Sequence, residues 1–211
     1  MYYTLILWLE KIKTKARGYV EIINYADDMV LCFQHKEEAI KIYEAMKERL
    51  KQGELEFAED KTRLIEFGKF ANTNANKRGK NKAETFDFLG FTHYCSKSNK
   101  TGRFRVKRKT SKKKFKQKVK EYKIWLIENR NKPIREIMEK TKLKLTGHFN
   151  YYGITDNSLM IGKFDYIVRR LLFKWLNRRS QRKSYSSQGF DMMINIFDFP
   201  KPRIKVNIYT I

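Results

Sequence analysis

The sequence predicts an α+β fold, in which strands dominate the first 110 residues and helices dominate the remainder. Apolar runs at 20–23 and 29–33, rich in β-branched and aromatic residues, flank the short polar stretch Tyr25-Ala26-Asp27-Asp28. Such a pattern is typical of a β-hairpin. Beyond Ser111, apolar residues recur every three or four positions, which is typical of amphipathic helices. We therefore expect a small mixed unit followed by a helical one.

The hairpin belongs to a first predicted domain, residues 1–94. Residues 36–51 place apolar side chains at helical spacing, which predicts a helix packed on the hairpin, and Gly53 follows as a stop signal. The polar, asparagine-rich stretch 71–84 predicts a loop. Further alternating or apolar segments predict three more strands: 55–57, 64–67 and 86–94.

The second half of the chain is predicted to be basic and helical. Residues 95–110 form a basic strand or linker, within which 103–107 alternate basic and apolar side chains, so that one face carries a row of cations. A helical domain spans 111–195, with Pro133 opening its second helix and the clearest helix running through 164–176. An irregular tail, residues 196–211, contains Pro200 and Pro202.

The charge balance points to a polyanionic partner. Lysine and arginine number 47 against 23 acidic residues, a formal net charge of +24. The excess is concentrated in two stretches without an acid: Lys97 to Lys120 holds thirteen basic residues and Arg169 to Lys183 holds seven. Aromatic residues interleave with these cations, unlike the composition of most disordered basic arms. Nucleic acid is the expected partner.

Asp27 and Asp28 are the candidate metal ligands. Two adjacent carboxylates about 4 Å apart repel by roughly 4 kcal/mol at an effective dielectric near 20. A divalent cation relieves that repulsion, and Mg²⁺ favours one or two carboxylates together with phosphate oxygens. A solvated Asp-Asp turn is the alternative for these residues taken alone.

Length and composition limit the remaining classes. With 211 residues and 41% apolar content, the chain can form a sizeable core in one or two domains. Two isolated cysteines cannot form a disulfide framework or a zinc site, which predicts a reducing, cytoplasmic setting. No apolar run approaches the roughly 18 residues of a membrane span, so no membrane partner is expected.

Four blocks of the sequence resemble the reverse transcriptase/maturase proteins encoded by bacterial group II introns. The hairpin INYADDMV is similar to the polymerase palm signature, although the family usually has Arg at position 24 and Phe at 29. LEFAEDKTRLIEFG (55–68) and TFDFLGFTHY (85–94) resemble the next two palm blocks. PIREIMEK, GHFNYYGI and RRLLFKWLNRRSQ resemble the thumb, or maturase-specific, region. The resemblance identifies residues 1–94 as the end of a palm and the helical domain as a thumb.

The resemblance implies RNA-directed DNA synthesis and binding of intron RNA to assist splicing. Asp27 and Asp28 would be the catalytic, metal-binding residues of a site for two Mg²⁺ ions. Residues near the incoming nucleotide and the primer would be Tyr25, Ala26, Phe88, Leu89 and Gly90. Nucleic-acid contacts are expected at Lys61, Arg103, Arg105, Lys107, Lys109, Arg170, Lys174, Arg178 and Arg179. The implied partners are intron RNA, an RNA template–DNA primer duplex and dNTPs.

The largest departure of the chain from the family concerns its acidic residues. A two-metal site needs a further aspartate from an earlier palm strand, whereas residues 1–26 contain only Glu10 and Glu21 as acids. We therefore expect a C-terminal portion of the family protein that is inactive by itself, with a separate chain carrying the fingers and the rest of the palm as a candidate partner. A non-catalytic RNA-binding splicing factor, an inactive gene remnant and another bacterial reverse transcriptase, such as that of a retron, are the alternatives.

Overall fold

A computed structural model describes residues 5–26, 28–54, 58, 61–179 and 185–209. The chain divides into two compact units, Met1–Leu89 and Gly90–Ile211. Seven helices and two small antiparallel sheets are described, which confirms the α+β fold class.

The first unit is built around the predicted hairpin. Helix α1 (Leu7–Lys13) precedes strands β1 (Val20–Tyr25) and β2 (Asp28–Phe33), and helix α2 (Lys36–Gln52) follows, ending at Gly53 as predicted. Paired residues of the hairpin share one face, so Ile22 lies beside Leu31. That face packs on a buried cluster from the first helical residues and α2: Leu5, Leu9, Met46 and Leu50.

Two predictions for the rest of this unit are wrong. Residues 71–84 are not a loop throughout, because helix α3 (Ala71–Lys77) lies within them, with Ala71 and Ala75 buried one turn apart. Residues 64–67 are irregular rather than a strand, because they pair with none of the described strands; the Glu66 carboxylate accepts hydrogen bonds from the side chains of Asn74 and Arg78. The predicted strand at 55–57 lies outside the described residues.

The predicted strand 86–94 is divided in two. Strand β3 (Phe86–Phe88) ends where Leu89 and Gly90 adopt left-handed backbone, with φ of 49° and 78°. Strand β4 (Phe91–Lys97) then begins the second unit. Two successive residues at positive φ cannot continue a pleated strand, because extended backbone requires negative φ.

The second unit packs four helices with a hairpin. Strand β4 pairs antiparallel with β5 (Phe104–Thr110), from Phe91 opposite Thr110 to Lys97 opposite Phe104. The predicted helices are present as α4 (Lys112–Asn129), α5 (Ile134–Tyr152) and α6 (Ser158–Leu176). A further helix, α7 (Ser187–Ile196), was not predicted separately. Six core side chains have no exposed surface: Leu126, Met138, Leu145, Ile161, Leu172 and Leu176. Each contributes roughly 1.5–3 kcal/mol by its burial.

His148 is a polar member of this core. Its ring is 7% exposed and stacks on Phe164 with 3.6 Å between ring centres. Burial, with a smaller contribution from the charge of Lys118, lowers the pKa of His148 to about 4. The imidazole is therefore neutral near pH 7, where it behaves as an aromatic packing residue.

Candidate active-site hairpin and nucleic-acid surface

The tip of the β1–β2 hairpin carries the predicted catalytic residues. Tyr25 is the last residue of β1 and pairs with Asp28, the first residue of β2, and Ala26 follows β1 directly at the hairpin tip. Ala26 has φ of 52°, a left-handed backbone conformation that tight hairpin turns use at their first loop position. Tyr25, Ala26 and Asp28 are exposed, whereas Asp27 lies outside the described residues. The hairpin tip therefore presents the Asp28 carboxylate to solvent.

Glu10 and Glu21, the two acids that precede the hairpin tip in the sequence, do not lie at the tip. Glu21 lies opposite Cys32, four residues along β1 from Tyr25. Its carboxylate accepts hydrogen bonds from Lys13, at 3.1 Å, and from the hydroxyl of Tyr19, at 2.9 Å. These two contacts hold the pKa of Glu21 below its usual value. Glu21 is thus a structural ion-pair residue of the strand, while Glu10 is exposed on α1.

The hairpin offers ligand chemistry that suits a hard divalent cation. The exposed Asp28 carboxylate supplies oxygen donors of the kind that Mg²⁺ binds. Among the residues the structure describes, no three histidine, cysteine, aspartate or glutamate side chains come together as a metal site. Asp28 fits one ligand position, and Asp27 is the adjacent candidate.

The other residues expected near a primer lie on turns. Phe88 ends β3 and is half-buried, and Leu89 and Gly90 form the left-handed turn that follows it. A Cβ atom at position 90 would lie 3.0 Å from the hydroxyl oxygen of Tyr152, so this turn also needs the small size of glycine. Lys61 is exposed in a turn closed by its backbone N–H to the carbonyl of Ala58, at 2.9 Å.

Strand β5 brings three of the predicted nucleic-acid contacts together. Arg105, Lys107 and Lys109 alternate along it, and each shares its face with the residue paired opposite it: Ser96, Tyr94 and Thr92. Tyr94 and Lys109 also meet on this face, where the Lys109 ammonium lies 5.4 Å from the Tyr94 ring centre. We call this the β5 cation row. Arg103 is exposed in the turn that precedes β5.

A buried amide fixes the end of the β5 cation row. The side-chain oxygen of Asn157 accepts a hydrogen bond from the backbone N–H of Thr110 at 2.7 Å. Its side-chain nitrogen donates to the Thr110 hydroxyl at 2.9 Å and to the backbone carbonyl of Tyr152 at 2.8 Å. Asn157 has no exposed surface, so these bonds form out of contact with water. They join the last residue of β5 to the turn between α5 and α6.

The C-terminal segment also reaches the β5 cation row. Tyr209 donates its hydroxyl hydrogen bond to the carbonyl of Val106, at 2.8 Å, and contacts Asp156. The Arg105 guanidinium carbon lies 3.8 Å from the centre of the Tyr209 ring. Burial and the Asp156 contact raise the pKa of Tyr209 to about 12. The neutral phenol therefore positions Arg105 across the physiological pH range.

Helix α6 carries the remaining predicted contacts. Arg170, Lys174 and Arg178 recur every four residues, and all three are exposed. Arg170 and Lys174 lie within α6, whereas Arg178 follows its C-cap, Asn177. Arg179 has a structural role as well, since its guanidinium donates to the backbone carbonyls of Asn131 and Lys132, at 3.4 and 2.9 Å.

The sequence did not predict the roles of Asn157 and Tyr209 in fixing β5. It also did not predict that the Arg130 guanidinium carbon lies 5.5 Å from the Trp175 ring centre. An asparagine before a helix is typical of an N-cap, but the Asn157 side chain makes no capping bond and reaches β5 instead. The contacts of Tyr209 join residues 103 positions apart. No local pattern predicts a contact at that separation.

Comparison with known protein families follows the same two halves of the chain. Residues 3–93 match the family described as reverse transcriptase (RNA-dependent DNA polymerase). Residues 112–190 match the maturase-specific domain of group II introns. A search of curated proteins found no match. None of the described helices is long and apolar enough to cross a membrane. With a reverse transcriptase region followed by this maturase-specific domain, the chain belongs to the reverse transcriptase/maturase proteins of group II introns.

Proposed function

We propose that the second unit binds group II intron RNA and, in DNA synthesis, the RNA template–DNA primer duplex. The observation that carries this proposal is the β5 cation row, where three cations share one face of a strand fixed by Asn157 and Tyr209. Regularly spaced cations on a rigid strand neutralise successive phosphates at little entropic cost. Arg103 and the exposed cations of α6 would extend this surface. We propose the bacterial cytoplasm as the place where the protein binds RNA.

The hairpin tip is proposed as part of the polymerase site. Asp28, with Asp27, would hold divalent cations of the Mg²⁺ class. Bound there, such ions supply charge stabilisation for the primer oxygen and the triphosphate. Tyr25 and Ala26 would lie near the incoming dNTP, and the Phe88–Gly90 turn near the primer strand. The exposure of Tyr25, Ala26 and Asp28 supports this assignment, because substrates could reach these side chains.

Neutralising the β5 cation row tests RNA binding. In the Arg105→Gln/Lys107→Gln/Lys109→Gln variant we expect affinity for structured RNA to fall roughly 10- to 100-fold at fixed salt. Three exposed ion pairs at up to about 1 kcal/mol each give at most about 3 kcal/mol. Filter binding or fluorescence anisotropy measures the change.

A matched control removes three cations that already form ion pairs with nearby acids. Lys118, Lys132 and Arg135 pair with Glu121, Glu136 and Glu139. Their triple substitution by Gln removes the same charge from the chain and should leave the affinity within about threefold. An equal loss in both triple variants would show that net charge alone, and not the β5 cation row, determines binding.

We further propose that the 211 residues alone do not extend a primer and act in DNA synthesis only with a chain that supplies another palm aspartate. The position of Glu21, bound by Lys13 away from the hairpin tip, supports this. Primer extension on poly(rA)/oligo(dT) with Mg²⁺ or Mn²⁺ should give no product. Synthesis that is lost in Asp27→Ala would overturn the proposal.

A splicing-only role is the second candidate. The maturase-specific match lies wholly within the second unit, which has its own buried core. If splicing were the sole activity, RNA binding and intron splicing would survive Asp27→Ala/Asp28→Ala unchanged, and no complementing chain would restore primer extension.

A further inference from the structure

Two guanidinium groups lie close to the indole ring of Trp175 in the second unit. Arg130 is the C-cap residue of α4, and Arg178 follows Asn177, the C-cap residue of α6. Their guanidinium carbons are 5.5 and 5.3 Å from the Trp175 ring centre. We call these three residues the indole cluster.

The indole cluster contains hydrogen-bond donors and no acceptor. Arginine and tryptophan side chains can only donate. The Trp175 Nε1 atom is buried, and no acceptor for it exists among the described residues. Nor does any described carboxylate pair with Arg130 or Arg178, in contrast to Arg169, which binds Asp165 at 2.8 Å. Two positively charged guanidinium groups and a buried N–H donor without an acceptor favour the binding of an anionic oxygen ligand.

Contacts outside the indole cluster hold it in place, and these contacts use none of the N–H donors of Arg130, Arg178 or Trp175. The neighbouring Arg179 bonds the carbonyls of Asn131 and Lys132, which fixes the chain just after Arg130 against the end of α6. The C-terminal ends of α4 and α6 carry partial negative charge, which stabilises cations there. That effect explains why cations occur at these positions, but it consumes none of their N–H donors.

We propose that the indole cluster binds one phosphodiester group of RNA, shared between Arg130 and Arg178. The inference rests on the proposed RNA-binding function and specifies a contact within it. Guanidinium groups bind phosphate oxygens through paired, charge-assisted hydrogen bonds. The cation–π contacts with Trp175 orient both groups before RNA arrives, which lowers the entropic cost of binding.

The indole N–H of Trp175 reports on the site directly. The chain has three tryptophans, Trp8, Trp125 and Trp175, so an ¹⁵N-labelled sample gives three indole N–H signals, assigned by single Trp→Phe variants. Inorganic phosphate, compared with NaCl at equal ionic strength, should shift the Trp175 signal saturably and leave Trp8 unchanged. The shift should vanish in Arg130→Gln/Arg178→Gln. No saturable shift, or one that survives in this variant, would overturn the proposal.

RNA binding gives the second readout. Losing one phosphate contact should lower the slope of log K against log salt by about 0.7 on single-stranded RNA. Because the remaining arginine can still neutralise the shared phosphate, Arg130→Gln and Arg178→Gln should each lose less than this amount, and the double variant should lose about all of it. Arg135→Gln, an exposed arginine paired with Glu139, is the control and should keep the wild-type slope.

The outcomes separate this inference from the proposed function. An unchanged slope in the double variant, or additive losses near 1.4, would overturn the shared phosphate contact while RNA binding itself stands. A chain that binds no RNA, but whose Trp175 signal still responds to phosphate, would overturn the proposed function and the RNA assignment. The anion site would then remain as a property of the cluster.

Discussion

RNA affinity of the whole chain should fall roughly 10³- to 10⁵-fold between about 50 and 200 mM salt, if about six to ten phosphates are neutralised. The net charge of +24, the β5 cation row and the exposed cations of α6 make a contact number of that size reachable. Sequence preference should be weak, because phosphate contacts carry no base information. Equilibrium binding at four or five salt concentrations measures the slope.

The α6 cations should account for part of that slope. Substituting Arg170, Lys174 and Arg178 together by Gln should lower it by up to about three units on duplex RNA, since each exposed side chain can neutralise one phosphate. The Lys118, Lys132 and Arg135 triple variant again removes equal charge from ion-paired positions. If the α6 variant keeps the full slope, the wild-type side chains of Arg170, Lys174 and Arg178 face solvent in the RNA complex.

Replacing Asn157 by Ala should destabilise the second unit by roughly 2–4 kcal/mol. The change leaves the Thr110 backbone N–H without its partner and opens a void at a position with no exposed surface. A buried donor left unpaired costs about 1–3 kcal/mol, and the void adds to this. Urea unfolding followed by helical circular dichroism measures the loss, because most helical residues belong to this unit.

Two further variants make the Asn157 result specific. Asn157→Asp keeps the acceptor for Thr110 but replaces the donor to the Tyr152 carbonyl with a carboxylate oxygen, so it should also be strongly destabilised. Asn195→Ala, at an exposed position of α7, should change stability by no more than about 0.5 kcal/mol. Equal stability of Asn157→Ala and Asn195→Ala would mean that water replaces the buried amide without loss.

Local periodicity was sufficient for much of this fold. Residues such as Leu126, Val168 and Leu172 recur at helical spacing because each helix buries one stripe, and the sequence shows that stripe directly. The alternation of Arg105, Lys107 and Lys109 likewise predicts a shared face, and the register places them on one. Helix α3 was missed because its stability depends on the burial of Ala71 and Ala75, which asparagine-rich composition does not reveal.

The parts of the site that the sequence did not reveal depend on distant pairs. Asn157 reaches Thr110 across 47 positions, and Trp175 receives Arg130 from the end of another helix. Such contacts arise only after helices have packed, so composition and spacing contain no signal for them. The Asp27-Asp28 pair is predicted from the sequence because its proposed chemistry is local to one hairpin.

The hydrogen bond from Tyr209 to Val106 makes the order of synthesis relevant to the β5 cation row. The two residues are 103 positions apart, a length that is translated in roughly 5–20 s at about 5–20 residues per second. During that time Arg105 has left the ribosome's decoding centre, but the aromatic ring that positions it has not yet been made. The nascent chain therefore contains the residues of β5 before it contains Tyr209, which orders Arg105. Any RNA bound during this interval meets a less ordered β5 cation row than the one in the complete fold.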